Sequence, residues 1–142
     1  MITHERSTLR QFYLDTFEKA KNNGLLSSLE IQVISVLENH PEYYKTIENP
    51  KILDQDFSVE SGDINPFLHL GLHLGLREQI NTNRPLGIQA IYQKLLQKYK
   101  DPHHTEHLMM DLLAEILWLS QKYQTLPDEN IYLSKLQELL NS

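Results

Sequence analysis

An all-α fold is what this sequence predicts, and three observations predict it. Apolar residues recur at helical spacing along most of the chain, and Ser, Asp, Asn and Pro stand where the apolar runs begin. Short β-branched alternation broken by Asn-Gly turns is absent. The expectation is a compact bundle of six or seven helices making a single all-helical domain over residues 1–142, with two central helices at about 65–80 and 102–123.

The first helix is expected over residues 7–22, because Leu9, Phe12, Tyr13, Phe17 and Ala20 fall along one side. Asn22-Asn23-Gly24 ends it, these residues tolerating the left-handed cap. Ser27 and Glu30, three apart, form a capping box for the second helix; Ile31, Ile34 and Leu37 or Glu38 follow at helical intervals until His40-Pro41 stops it. Residues 41–47 read as a short helix with proline in its first turn. Residues 49–63 lack sustained periodicity and read as the one long connection, with a turn of helix around Ile52.

Asn65 and Pro66 then open a helix with almost no polar face, Asn65 as cap and Pro66 in the first helical position. His69 and His73, at i and i+4, fall beside each other between Leu72, Leu76 and Ile80. Gly71 and Gly75 form a stripe on the opposite side, which allows either close intramolecular packing or a homodimer. A helix apolar nearly all round is expected to have neighbours over most of its circumference. After a turn at residues 81–85, Ile88, Ile91, Leu95 and Leu96 mark a helix over 86–99, with Lys94, Lys98 and Lys100 outward. Asp101-Pro102 opens the long helix to Tyr123, and Pro127-Asp128 opens the last, on which Ile131, Leu133, Leu136, Leu139 and Leu140 are apolar.

Composition narrows the function classes. The net charge is −6 with a pI near 5.6, and no basic face is visible, so a nucleic-acid partner is not expected. No apolar run approaches the roughly 20 residues of a membrane span, and residues 1–9 lack a signal-peptide core, so no membrane partner is expected either. There is no cysteine, which removes thiolate chemistry and fits a reducing, cytoplasmic location.

Chemistry is concentrated in the histidines. On the helix at 102–123, His107, Asp111 and Glu115 stand at i, i+4 and i+8 with His104 on the same side, and the flanking apolar residues predict a strip at least half buried. Helical bundles build metal sites from inward His and carboxylate side chains on facing helices. His69, His73 and His107 with Asp111 or Glu115 would make a three- or four-ligand N/O site suited to Zn or Fe. The alternative is a hydrogen-bonded network in which, for instance, His73 meets Glu115. His103 and His104, at the helix start, are expected to be exposed. No zincin helix is present, since Leu70 follows the first histidine where that motif needs Glu.

His40-Pro-Glu-Tyr43, Asn65-Pro-Phe-Leu-His69, His73, Glu78-Gln79, Gly87-Ile88, Glu106-His107, Leu113, Glu115 and Leu117-Trp118 together resemble the proteobacterial family called domain of unknown function 1841. The likeness runs from the first helix to Pro127-Asp128 and implies no activity. It directs attention to His40, Glu42, His69, His73, Glu106, His107 and Glu115, while Tyr44 stands where the family commonly reads His. The functional expectation is a cytoplasmic interaction or regulatory protein with an unidentified protein partner. The alternative is a metal-assisted hydrolase or oxidoreductase, with Glu115, Glu106 or Glu42 as the base that activates a bound water.

Overall fold

In a computed structural model, which describes residues 4–49 and 65–142, the described residues form seven α-helices: α1 His4–Lys21, α2 Ser28–Glu38, α3 Tyr44–Glu48, α4 Pro66–Thr82, α5 Ile88–Tyr99, α6 Pro102–Tyr123 and α7 Glu129–Asn141. A 3-10 turn, Pro41–Tyr43, leads into α3, and no strand occurs among the described residues. The connection expected after Asn49, including the turn around Ile52, lies outside them. Among the described residues no helix is long and apolar enough to cross a membrane. The chain clusters into two units, Met1–Gly71 and Leu72–Ser142, and α4 runs unbroken through the boundary.

The first unit packs α1 against α2 and α3. The expected capping box is present: Glu30 N donates to Ser27 Oγ at 3.2 Å, and Ser27 N donates to Glu30 Oε1 at 2.8 Å. The inward face of α2 is Val33, Val36 and Leu37, all essentially without exposure, whereas Ile31 is exposed. The expected stripe was thus rotated, and its true continuation at i+7 from Val33 is His40. On α1, Tyr13 and Phe17 are buried as expected but Leu9 is exposed. Arg10 takes the inward place, its guanidinium 4.8 Å from the centre of the Phe67 ring. A cation can lie there because the aromatic face is electron-rich and the methylene stem is apolar.

The second unit has its own core of Leu76, Ile88, Leu95, Met109, Met110, Leu113, Ile116, Tyr132 and Leu136, drawn from α4 to α7. Burying a side chain such as Leu76 contributes roughly 1.5–3 kcal/mol each time, so this cluster fixes how the C-terminal half of α4 lies on α6. The helix starts are capped as read: Asn65 Oδ1 accepts from Phe67 N and Leu68 N, Asp101 Oδ1 from His103 N and His104 N, and Asp128 Oδ1 from Asn130 N and Ile131 N. On α7 Tyr132 is buried with Leu136 while Ile131 is exposed, and the Tyr132 hydroxyl donates to Gln79 Oε1 at 2.9 Å. Burial pushes that hydroxyl's pKa far up.

One expectation about α4 fails. Leu68, Gly71, Gly75 and Glu78 are exposed, so the helix has an open side. A Cβ added at Gly71 or Gly75 would meet nothing within 4 Å, so neither glycine serves a close backbone approach among the described residues. The glycines leave that side thin, and the leucines at 70, 74 and 76 supply the apolar contacts elsewhere on the circumference.

Candidate metal centre

Two imidazole groups stand on successive turns of α4, each with partners from its own unit. In the first unit, His40 follows the end of α2 and is buried, because it completes the stripe begun by Val33. Its Nδ1 lies 2.8 Å from the carbonyl oxygen of Val36. A carbonyl only accepts, so the proton sits on Nδ1, and in the neutral ring the lone pair is on Nε2. That Nε2 is 2.9 Å from His69 Nε2, so His69 donates at this contact. Tyr43 stacks flat on His40 with centroids 5.3 Å apart and meets His69 edge-on at 5.7 Å. Burial, aided by the neighbouring Glu42 carboxylate, raises the Tyr43 hydroxyl pKa.

In the second unit, His73 has no exposed surface and its Nε2 lies 2.9 Å from Glu106 Oε1. Arg77 Nε donates to the same oxygen at 2.8 Å. Burial works against ionisation of Glu106, but hydrogen bonds from His73 and Arg77 outweigh it and hold the carboxyl below its ordinary pKa. An ionised carboxylate only accepts, so the proton of a neutral His73 is on Nε2 and the lone pair is on the buried Nδ1. The His107 ring lies 5.6 Å from His73, and His103 lies 4.0 Å from His107 and 6.3 Å from His73. Tyr92 is near the same pair: burial and then Glu106 raise its hydroxyl pKa, with Arg77 opposing.

Of the residues singled out from the sequence, His73 and His107 are neighbours, and His69 is paired with His40. Asp111 and Glu115 are not beside them. Both are exposed, and Glu115 Oε1 instead takes Lys135 Nζ at 3.1 Å. The carboxylate on His73 is therefore Glu106, not Glu115. The reason is helical phase: α6 buries Glu106, Met109, Met110, Leu113 and Ile116, which turns the strip of His104, Asp111 and Glu115 outward. Arg77 pairs with a Glu106 side chain that is almost wholly covered. His103, expected on the surface, is half buried against His107, while His104 is exposed.

Glu106 shares the spacing of the Met109/Met110/Leu113 stripe, so its inward position had a signal in the sequence. Glu42, the third expected base, is exposed. Two imidazoles with their second nitrogens tied to a carbonyl and to a carboxylate present lone pairs of fixed direction, which is how histidine ligands to metals are commonly held. Neutral nitrogen donors of this kind suit zinc, copper, iron or nickel rather than calcium or magnesium.

Residues 5–138 match the model of the family described as Domain of unknown function (DUF1841). No curated protein and no solved structure matches the chain.

Proposed function

The chain belongs to the DUF1841 family, and from that premise we propose that it binds one divalent transition-metal ion, zinc or iron, through His40, His69, His73 and His107. The observation that carries this reading is the placement of His69 and His73 one turn apart on a single unbroken helix, each with another imidazole beside it. Residues at i and i+4 have Cβ atoms about 5–6 Å apart, the pitch at which two rings reach one ion. His40 would ligate through Nε2 and His73 through Nδ1, the nitrogens whose lone pairs Val36 and Glu106 set. Two nitrogens on a tetrahedral ion at about 2.0–2.1 Å each stand about 3.3 Å apart. The 2.9 Å contact between His40 and His69 is close to that spacing. It would open by a few tenths of an ångström as the His69 proton moves to its other nitrogen.

Four imidazoles around a tetrahedral ion leave no open position, and such a site would fasten or regulate the fold of an interaction protein. A six-coordinate ion would keep two positions for water or substrate, which is what a hydrolase or oxidoreductase would need.

The test uses the chain purified without a polyhistidine tag. Elemental analysis and calorimetric titration with Zn²⁺, and with Fe²⁺ under anaerobic conditions, should give about one ion per chain. Chelator should lower the melting temperature, because an ion bound 100-fold above its Kd stabilises the folded state by about 2.7 kcal/mol. His73→Ala should remove that sensitivity. A chain that takes up neither ion, and whose melting chelator leaves unchanged, would show that these histidines form hydrogen bonds and nothing more.

A further inference from the structure

We infer that Glu106, held in place by Arg77, is the positioning residue that presents His73 to the metal through Nδ1; this rests on the metal-binding reading above. An imidazole can bind an ion through either nitrogen, and the nitrogen that donates a hydrogen bond is the one that cannot. Glu106 Oε1 occupies the Nε2 side of His73 at 2.9 Å, so the lone pair lies on the other side of the ring. Glu106 in turn is aimed by Arg77 Nε at 2.8 Å, and the two residues leave α6 and α4 at points fixed by the Leu76 and Met109 core. Exposure of the Glu106 side chain is only 9%, so it has little freedom to swing away. The Glu106 carboxylate also places a negative charge on the outer side of the ligating imidazole, partly offset by the Arg77 guanidinium beside it. A carboxylate on the outer N–H of a ligating histidine makes the inner nitrogen more basic, and such partners typically account for about 10–100-fold in metal affinity.

Both donors converge on the same oxygen, and this separates geometry from charge. The amide oxygen of Glu106→Gln can accept from His73 and from Arg77 in the same way, so that variant retains the tautomer and loses the charge. Glu106→Ala loses both. Arg77→Met keeps the carboxylate and loses the guanidinium that holds it.

The experiment has two readouts on the full chain. Long-range ¹H–¹⁵N spectra of the metal-free protein should show His73 protonated on Nε2 in the native chain and in Glu106→Gln. Zn²⁺ titration should then rank the variants: the native chain tightest, Glu106→Gln and Arg77→Met weaker, and Glu106→Ala about 10–100-fold weaker than native. Should Glu106→Ala fail to fold, Glu106→Gln and Arg77→Met still decide the ranking. Native-like affinity in Glu106→Ala, or in both of the milder variants, overturns the inference while leaving the metal site standing. A His73 proton on Nδ1 overturns it as well. A native chain that binds no Zn²⁺ while His73 is protonated on Nε2 overturns the metal-binding reading instead, and with it the role of Glu106 at a metal.

Discussion

His40 donates from Nδ1 to the carbonyl of Val36 at 2.8 Å, although it stands two residues beyond the end of α2. The ring thereby caps a helix terminus whose last carbonyls lack successors within the helix. The same carbonyl receives Asn39 N at 3.1 Å, so both of its lone pairs are used. A residue buried to this degree and bonded at both ring nitrogens acts on stability as well as on any ion. His40→Ala should destabilise the metal-free protein by about 1–3 kcal/mol, through the lost hydrogen bonds and the cavity left behind. Urea unfolding in the presence of chelator measures this, and a loss below about 0.5 kcal/mol, the range of ordinary surface changes, would contradict it.

Gly71 and Gly75 sit in the middle of α4 with open space where a Cβ would go. Alanine restricts the unfolded chain and favours the helix, so Gly71→Ala and Gly75→Ala should each stabilise the protein by about 0.5–1 kcal/mol. If the two glycines instead lay against a second copy of the chain, the alanines would weaken self-association. Thermal unfolding together with sedimentation over a range of concentrations distinguishes the cases.

Leu76 and Leu136 have no exposed surface in the core of the second unit, whereas Leu126 is 89% exposed. Truncation to alanine should cost about 2–5 kcal/mol at either of the first two and within about 0.5 kcal/mol at the third. Equal effects at Leu126 and Leu76 in chemical denaturation would contradict the assignment of this core.

Glu30 closes the capping box of α2. Its carboxyl pKa is lowered, first by the Ser27 backbone N–H and then by Lys19, whose Nζ lies 3.1 Å away. A folded-state pKa below the unfolded one means that this stabilisation is complete above the ordinary carboxylate range, about 4.3, and is lost as pH falls through the lower folded value. Glu30→Gln keeps a side-chain oxygen for Ser27 but cannot ionise. The melting temperature of the native chain should therefore exceed that of Glu30→Gln at pH 7, and the gap should shrink on acidification. A gap that widens toward low pH would show the opposite sign.

Much of the helical fold was legible because caps and periodicity are local. Ser27 with Glu30, Asp101 with Pro102, and Pro127 with Asp128 announce helix starts through bonds that span two or three residues, and the structure has each of them. Errors of phase were of one kind. Ile31, Leu9 and Ile131 are as apolar as the residues that are buried, and a helix with apolar side chains on more than one face does not say which face will be covered. The exposed side of α4 was misread for the same reason.

By itself the sequence determined that the chain is helical, where most of its helices begin, and that His69 and His73 share one face of one helix, since all three follow from local hydrogen bonding and the fixed helical pitch. Tertiary structure alone decided that Glu106 rather than Glu115 meets His73, and that His40 is the partner of His69. Those pairings depend on a rotation of α6 and on the return of the chain after α2, which are set by how whole apolar faces pack. Turning α6 to bury Met109, Met110 and Leu113 carries Glu106 inward with them and leaves Glu115 to the solvent and to Lys135.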